Sequence, residues 1–273
     1  MSSGLGKIIG KGSFGKVYEF DDDRVVKYIQ PSPDGLNDYI EPYILLNLSH
    51  NCVMKAFDIY VNPNYLLKIL MEKGIDIQKI EIKDKTYFFE HVKNGITYLH
   101  KNCILHGDIK PANIIFCGEK YKITDFSFSI LMSQNPEKIG RIIYSGKYRP
   151  PEVFHKKVFF ESDIWAFGTM MKEYLSKKEC EKRHIVSMTR YKPKDRPVFF
   201  PRKTYIDNTH IIQNNKKLFE GTSKKTRTIF LKKLRNKNPG ISCPKEYCLF
   251  EEKFSVNNRF VIDIKPLSVI EKV

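Results

Sequence analysis

Apolar and polar residues alternate near the N-terminus in a pattern that predicts an antiparallel sheet. The segment "LGKIIGKGSFGKVYEF" (5–20) alternates as a strand, a glycine-rich turn and a second strand. "RVVKYI" (24–29) follows a polar turn as a third strand. "NDYIEPYILLNL" (37–48) predicts a helix. Because proline is disfavoured inside helices, this helix should begin near Glu41 or be kinked at Pro42.

The middle of the chain carries a helical pattern followed by a polar loop. "YFFEHVKNGITYLH" (87–100) has apolar residues at helical spacing, namely Phe88, Val92, Ile96 and Leu99. "CILHGDIKPANIIF" (103–116) then predicts two short strands joined by a polar hairpin loop. Because catalytic groups concentrate on loops held by a rigid scaffold, this loop is a candidate functional site.

Composition indicates an ordinary globular protein. A length of 273 residues suits one large domain or two lobes, and 41% hydrophobic with 13% aromatic residues argues against disorder. No apolar region follows the initial Met, and the apolar runs are too short to span a bilayer. The six cysteines are scattered without CxxC or zinc spacing, which is typical of reduced thiols. We therefore expect a soluble intracellular protein, cytoplasmic or nuclear.

The net charge of +16 is concentrated towards the C-terminus. Residues 1–196 carry a net charge of +7, whereas the much shorter segment 197–273 carries +9. Such a field favours acidic partners, which include nucleic acid, anionic lipid and acidic protein. A solvated basic surface without a partner is the alternative.

Three glycines near the N-terminus form a G-x-G-x-x-G pattern, at Gly10, Gly12 and Gly15. This spacing lets the backbone approach phosphates and turn its N–H groups towards them. A dinucleotide fingerprint would require a helix after the last glycine, but "KVYEF" continues as a strand. That context suits a flap over phosphates. Behind it, Lys27 is a candidate phosphate ligand that could pair with Glu41, although a strand lysine more often reaches solvent.

Together these segments resemble the eukaryotic-type protein kinase family along residues 4–197. The resemblance implies an α+β, two-lobed fold with a small antiparallel sheet in the N-lobe and a mainly helical C-lobe. The implied limits are 1–72 for the N-lobe, 73–201 for a compact C-lobe and 202–273 for a basic extension.

The resemblance implies ATP and Mg²⁺ as cofactors, with Mn²⁺ as an alternative metal. Lys27 would hold the α- and β-phosphates, and "LMEKG" resembles the hinge, with Met71 as the gatekeeper. The implied nucleotide-binding residues are Gly10, Lys11, Gly12, Ser13, Phe14, Gly15, Val17, Val25, Lys27, Glu41, Met71, Glu72, Gly74 and Ile115.

The polar loop "HGDIKPANII" resembles the catalytic loop of the family. Asp108 would be the catalytic base, Lys110 the neighbour of the transferred phosphate and Asn113 a Mg²⁺ ligand. "ITDFSFS" resembles the D-F-G segment, with Asp125 as the principal Mg²⁺ ligand. Neither Asp108 nor Lys27 is expected in the apolar core, so replacing them should abolish activity without unfolding the protein.

Three later segments match supporting parts of the family. "YSGKYRPPE" resembles the end of the activation segment, where Ser145 would bridge the base and Lys110. "SDIWAFGTMM" resembles the large C-lobe helix, with Asp163 bracing the catalytic loop. "KPKDRP" would supply Arg196 to pair with Glu152.

The chain departs from the family pattern in three places. Gly107 replaces an arginine that would bind an activation-loop phosphate, so activity should not require phosphorylation of the activation segment (126–149). Ser127 replaces a glycine and should stiffen the backbone after the aspartate of the D-F-G segment. Only 32 positions separate Asp163 from Arg196, a compaction that would suit a minimal kinase such as a virus-encoded one.

The resemblance therefore implies a serine/threonine protein kinase that transfers the γ-phosphate of MgATP to protein hydroxyls. Lys110 points to serine and threonine rather than tyrosine. A pseudokinase scaffold or a nucleic-acid-binding module is the alternative, against which the complete set Lys27, Asp108, Asn113 and Asp125 argues. A small-molecule phosphotransferase would share H-x-D-x-x-x-x-N but would not be expected to carry "YRPPE" or "DIWAFG".

Beyond Arg196 the resemblance ends and three interpretations stay open. "KKTRTIFLKKLRNK" (224–237) combines basic runs with apolar residues. It could form an amphipathic helix that docks on the C-lobe, a nuclear localisation signal or a nucleic-acid-binding patch. The apolar runs of 202–273 favour packing on the C-lobe.

Overall fold

The computed structural model describes residues 6–12, 15–29, 40–61, 67–132, 137–138, 143–199, 219–220 and 259–260. Ser13 and Phe14 of the predicted nucleotide site lie outside these residues. The chain divides into two compact units. The N-terminal unit comprises Met1–Ser49, Lys55–Lys73 and Asp207–Val273, and the C-terminal unit comprises His50–Met54 and Gly74–Ile206.

The described residues contain strands and α-helices with the following bounds. The strands are β1 (Ile8–Gly12), β2 (Gly15–Glu19), β3 (Arg24–Ile29), β4 (Ala56–Val61), β5 (Leu67–Glu72), β6 (Ile75–Asp76), β7 (Ile104–Leu105), β8 (Ile114–Cys117), β9 (Lys120–Ile123), β10 (Ile130–Leu131), β11 (Glu137–Lys138), β12 (Lys157–Val158), β13 (Phe219–Glu220) and β14 (Arg259–Phe260). The α-helices are α1 (Ile40–Asn47), α2 (Lys85–Lys101), α3 (Phe160–Tyr174), α4 (Lys177–Lys182) and α5 (Ile185–Met188). Short 3₁₀ helices lie at Ile77–Lys79, Pro111–Asn113, Gly146–Tyr148, Pro151–His155 and Pro193–Asp195.

The N-terminal unit is built on one sheet with the strand order β1-β2-β3-β5-β4-β13-β14. The first five strands in this order pair antiparallel, as the alternation of apolar residues predicted. Helix α1 begins at Ile40, so Pro42 lies in its first turn, where a missing N–H breaks no helical hydrogen bond. The predicted start of this helix near Glu41 is therefore confirmed.

The C-terminal unit is organised around α2 and α3. The four apolar residues that predicted α2 are all buried in it, and Asp84 caps the helix by accepting from the N–H groups of Thr86 and Tyr87, both at 2.9 Å. Ile164 and Phe167 are buried residues of α3. None of the helices that the structure describes is long and apolar enough to cross a lipid bilayer.

The two short strands around the polar loop belong to different sheets. Strand β7 pairs with β10, whereas β8 pairs with β6 and β9. The predicted hairpin between β7 and β8 is therefore wrong, because each strand finds its partners elsewhere in the chain. The consequence is that the loop between them is fixed from two sheets at once.

Only two short pieces of the basic extension are described. Strand β13 pairs with β4 in parallel, and β14 pairs with β13. The segment 224–237 lies outside the described residues, so its predicted helix stays a prediction. The domain limits and the packing of 202–273 on the C-lobe also stay predictions.

Candidate active site

Lys27 and Glu41 form a buried ion pair in the N-terminal unit. Strand β3 directs Lys27 to the buried face of the sheet and α1 supplies Glu41, with 2.6 Å between Lys27 Nζ and Glu41 Oε2. Their side chains are only 10% and 2% exposed. A charge buried to this degree requires a paired partner, and here the pair is made.

The glycines of the predicted phosphate loop have different local surroundings. A Cβ atom on Gly15 would lie 2.1 Å from the carbonyl oxygen of Tyr28, so packing against β3 alone demands glycine there. A Cβ atom on Gly10 would meet nothing closer than Val17, at 3.6 Å. Among the described residues, packing therefore accounts for a glycine at position 15 but not for one at position 10.

The remaining nucleotide-site predictions of this unit lie on its sheet. Lys11 is exposed on β1, and Val25 pairs with Met71 across β3 and β5, with both side chains buried. The Glu72 carboxylate accepts from the Lys55 N–H at 2.7 Å and so braces the start of β4.

Gly74 and Ile115 lie together in the C-terminal unit. A Cβ atom on Gly74 would come within 2.6 Å of Ile115 Cδ1 and 3.0 Å of the Phe116 carbonyl oxygen. The backbone at Gly74 therefore packs directly on β8, and a larger residue there would require the Ile115 side chain to shift.

Asp108 is the centre of a hydrogen-bonded cluster on the loop 106–115, which the sequence predicts to be the catalytic loop. Its Oδ1 accepts from Ser145 twice, from the N–H at 3.0 Å and from the hydroxyl at 2.8 Å. Its Oδ2 lies 2.6 Å from Lys110 Nζ and 3.1 Å from Asn113 Nδ2. Lys110 also donates to the Ser145 hydroxyl at 2.8 Å, so Ser145 bridges Asp108 and Lys110.

Asn113 and Asp125 lie at one end of the β8–β9 hairpin. Ile114 pairs with Ile123, and the Thr124 N–H donates to the Asn113 carbonyl at 3.0 Å. The Asn113 amide nitrogen contacts Asp108, which leaves its amide oxygen as the atom able to coordinate a metal. A carboxylate and an amide oxygen are hard ligands, and this donor set fits Mg²⁺.

Ser127, one of the departures from the family pattern, contacts the predicted metal ligand. Its hydroxyl donates to Asp125 Oδ1 at 2.6 Å. Asp125 has a left-handed backbone, with φ +61°. The serine therefore orients the Asp125 carboxylate through a side-chain contact that a glycine could not make.

Asp163 braces the catalytic loop from the start of α3. Its Oδ2 accepts from the His106 N–H at 2.8 Å and from His100 Nε2 at 3.0 Å. Its Oδ1 accepts from the Gly107 N–H at 3.0 Å and from the Tyr144 hydroxyl at 2.8 Å. Burial would raise the pKa of Asp163, but the hydrogen bonds from the His100 ring and the His106 N–H hold that pKa below its ordinary value.

His106 and Gly107 shape the loop in ways that the sequence reasoning missed. The Asp108 N–H donates to His106 Nδ1 at 3.2 Å, so His106 Nε2 carries the proton and donates to the Thr124 carbonyl at 3.1 Å. Gly107 has φ +80°, and its Cβ would lie 2.5 Å from the Phe128 carbonyl oxygen. The backbone conformation and the packing therefore both favour glycine here. The lack of a cation at this position is a further consequence of the glycine.

Arg196 and Glu152 form the predicted ion pair. The Arg196 guanidinium donates to both carboxylate oxygens of Glu152, at 2.7 and 2.8 Å. Its three other donors reach the backbone carbonyls of Glu161, Arg190 and Tyr191. All five N–H groups of this buried arginine are therefore satisfied.

Lys27 and Asp108 do not belong to the apolar core, as predicted, but both side chains are buried. Lys27 is 8% exposed and Asp108 1% exposed. Both can be buried because each has a partner of opposite charge, Glu41 for the lysine and Lys110 for the aspartate. Their replacement should therefore affect stability as well as chemistry.

The chain matches the family model described as "Protein kinase domain" over residues 4–241. Since this match covers most of its length, the chain belongs to the protein kinase family.

Several protein kinases are similar to this chain. Calcium-dependent protein kinase 6 of Plasmodium berghei is 33% identical over 183 residues, which cover 60% of this chain and 12% of the relative. Probable cyclin-dependent kinase 8 of Dictyostelium discoideum is 30% identical over 205 residues, covering 62% and 53%. A probable casein kinase II subunit alpha homolog of Encephalitozoon cuniculi is 26% identical over 183 residues, covering 62% and 57%. The chain thus spans between 12% and 57% of the length of these relatives.

Proposed function

We propose that this protein is a serine/threonine protein kinase that transfers the γ-phosphate of MgATP to protein hydroxyls. The observation that carries the proposal is the cluster of Asp108, Lys110 and Ser145, in which a buried carboxylate is held beside a lysine and a hydroxyl. Phosphoryl transfer requires a carboxylate at the attacking hydroxyl and cations at the phosphates, and this chain has residues for both tasks.

Each residue has a separate role in the proposed reaction. Asp108 would accept the proton of the substrate hydroxyl. The oxygen of that hydroxyl would bond to the γ-phosphorus, while the bond from the γ-phosphorus to the bridging oxygen of the β-phosphate breaks and ADP is released. Lys110 would donate to the transferred phosphate, and Lys27 would donate to the α- and β-phosphates. Mg²⁺, when bound through Asn113 and Asp125, would offset the negative charge of the phosphates.

The proposal extends to regulation and partners. Because Gly107 offers no cation to a phosphate, the kinase should be active without phosphorylation of its activation segment. The net charge of +9 over 197–273 supports an acidic protein or nucleic acid as a partner of this segment. The scattered cysteines support a cytoplasmic or nuclear location.

The test uses the purified full chain, ATP labelled at the γ-phosphate, Mg²⁺ and a mixed protein panel. We expect label on serine and threonine, and a loss of at least about 100-fold in Asp108→Asn, because removing an essential catalytic group costs several orders of magnitude. Asp195→Asn, an exposed aspartate of the same unit, is the matched control and should remain active. Failure of the wild-type chain to transfer label, or full activity of Asp108→Asn, would contradict the proposal.

A further inference from the structure

Tyr144 joins the end of the activation segment to the catalytic loop. Its side chain is buried, and its hydroxyl donates to Asp163 Oδ1 at 2.8 Å. Its backbone N–H donates to the Gly107 carbonyl at 2.9 Å. The residue is therefore attached both to the loop itself and to the carboxylate that braces the loop.

The carbonyl of Tyr144 is also engaged. Arg149 donates to it from Nε at 3.1 Å and from Nη2 at 3.0 Å. The hydroxyl, the N–H and the carbonyl of one residue are thus all held. The next residue, Ser145, contacts Asp108 through both its N–H and its hydroxyl. The position of Ser145 at the proposed base consequently depends on where Tyr144 is held.

Tyr144 has a backbone conformation that the surrounding contacts must maintain. Its φ is +66°, in the left-handed region that a bulky residue rarely adopts. Such a conformation persists where neighbouring contacts over-determine it, and it concentrates at functional sites. Burial and the adjacent Asp163 carboxylate raise the pKa of Tyr144 well above its usual value, so its hydroxyl stays protonated and able to donate.

We propose that Tyr144 is a positioning residue whose hydroxyl anchors the unphosphorylated activation segment on Asp163, so that Ser145 stays at Asp108. The proposal rests on the proposed kinase activity and goes beyond it by naming what orders the segment when Gly107 supplies no cation. A single carboxylate, Asp163, then holds the catalytic loop through Gly107 and the activation segment through Tyr144.

The test compares two tyrosines that each lose only a hydroxyl. Tyr144→Phe removes the bond to Asp163. The matched control, Tyr148→Phe, removes a hydroxyl bonded to Glu173 near the end of α3. With phosphatase-treated protein, we expect Tyr144→Phe to lower kcat about 10- to 100-fold, the range of a lost hydrogen bond to a charged group. The KM for ATP should change less than about two-fold, and Tyr148→Phe should retain kcat.

A second measurement separates this proposal from the kinase proposal. Hydrogen exchange of the Tyr144 and Ser145 amides can be measured without catalysis. It reports on the anchor because these N–H groups donate to Gly107 and Asp108. Both amides should exchange faster in Tyr144→Phe than in the wild type or in Tyr148→Phe. If the wild type transfers no phosphate, the kinase proposal fails while the exchange comparison still tests the anchor. Unchanged kcat with unchanged protection, or a lower melting temperature as the only effect, would overturn the anchor.

Discussion

At the scale of single residues, Lys27 stabilises the buried face of its sheet through an ion pair and, by our proposal, also binds the phosphates. A lysine on the buried face of a sheet is unfavourable unless a carboxylate pairs with it, and α1 supplies Glu41 at 2.6 Å. Removing the lysine would leave the carboxylate buried without its cation. Loss of activity after such a change could therefore arise from local unfolding alone.

A double variant separates these two effects. Lys27→Met should abolish phosphate transfer and lower the free energy of unfolding by about 3–5 kcal/mol, since it breaks a buried ion pair. Adding Glu41→Leu should recover most of the stability, because an apolar pair replaces the ion pair, while transfer stays absent. Urea unfolding and a transfer assay measure the two quantities.

The control for this pair is Lys68→Met, which removes a less buried lysine from β5 of the same sheet. It should retain both stability and transfer. Transfer by the Lys27→Met/Glu41→Leu protein at the wild-type rate would refute the role assigned to Lys27.

At the scale of secondary-structure elements, one carboxylate joins several parts of the C-terminal unit. Asp163 at the start of α3 accepts from His100 of α2, from the catalytic loop and from Tyr144. Two of these hydrogen bonds come from N–H groups of the catalytic loop, so there are four donors in all, and each stabilises the ionised form of the carboxylate. Protonation of Asp163 should therefore loosen the contacts between these elements together.

The stability of the protein should consequently depend on Asp163 at acid pH. The pKa of Asp163 in the folded protein lies below the ordinary aspartate value of 3.8, so the folded state favours the ionised form. This contribution to stability is present above about pH 3.8 and is lost as the pH falls through the folded pKa, at up to about 1.4 kcal/mol per pH unit. The free energy of unfolding, measured with urea between pH 3 and pH 6, should fall less steeply with decreasing pH in Asp163→Asn than in the wild type.

Asp195→Asn is the control for the acid slope, because Asp195 is exposed. A direct NMR titration of the Asp163 carboxyl in the wild type replaces the comparison where Asp163→Asn does not fold. A folded pKa at or above 3.8 would refute the prediction.

The elements differ in how well the sequence could predict them. Helix α2 was predictable because four apolar residues at helical spacing define one buried face. The ion pair of Lys27 and Glu41 and the cluster around Asp108 were predictable because the segments that carry them resemble segments of the protein kinase family. The partners of β7 and β8 were not, because a strand as short as β7 has no periodicity and its pairing is set by tertiary contacts.

The role of Tyr144 was not predictable for a related reason. Its partner Asp163 lies 19 positions away, and no local pattern connects the two residues. A tyrosine directly before the bridging serine, in a chain whose catalytic loop lacks the usual arginine, was the one available signal.

At the scale of the whole molecule, the charge is concentrated in a segment whose role is still a prediction. Residues 197–273 carry more than half of the net charge of +16. The same segment contains apolar runs such as "YCLF" and "RFVIDI" that exceed what a solvated tether needs. We therefore expect this segment to contribute to folding as well as to binding.

Truncation after Pro201 distinguishes these contributions. If 202–273 packs on the rest of the chain, its removal should cost several kcal/mol, because each large apolar side chain returned to water costs about 1.5–3 kcal/mol. If the segment acts only through charge, the shortened protein should melt normally and lose salt-sensitive binding to nucleic acid or acidic protein. We expect a lower melting temperature, and an unchanged one would exclude packing.

The ring of His106 offers an internal reporter of the catalytic loop. Because Nδ1 accepts from Asp108 and Nε2 donates to the Thr124 carbonyl, the ring carries its proton on one defined nitrogen, deep inside the C-terminal unit. A proton sequestered in this way exchanges slowly with water and gives a resolved signal in heteronuclear NMR spectra. Loss of this ring-proton signal would indicate that the catalytic loop has unfolded, and the measurement needs no nucleotide or substrate in the sample.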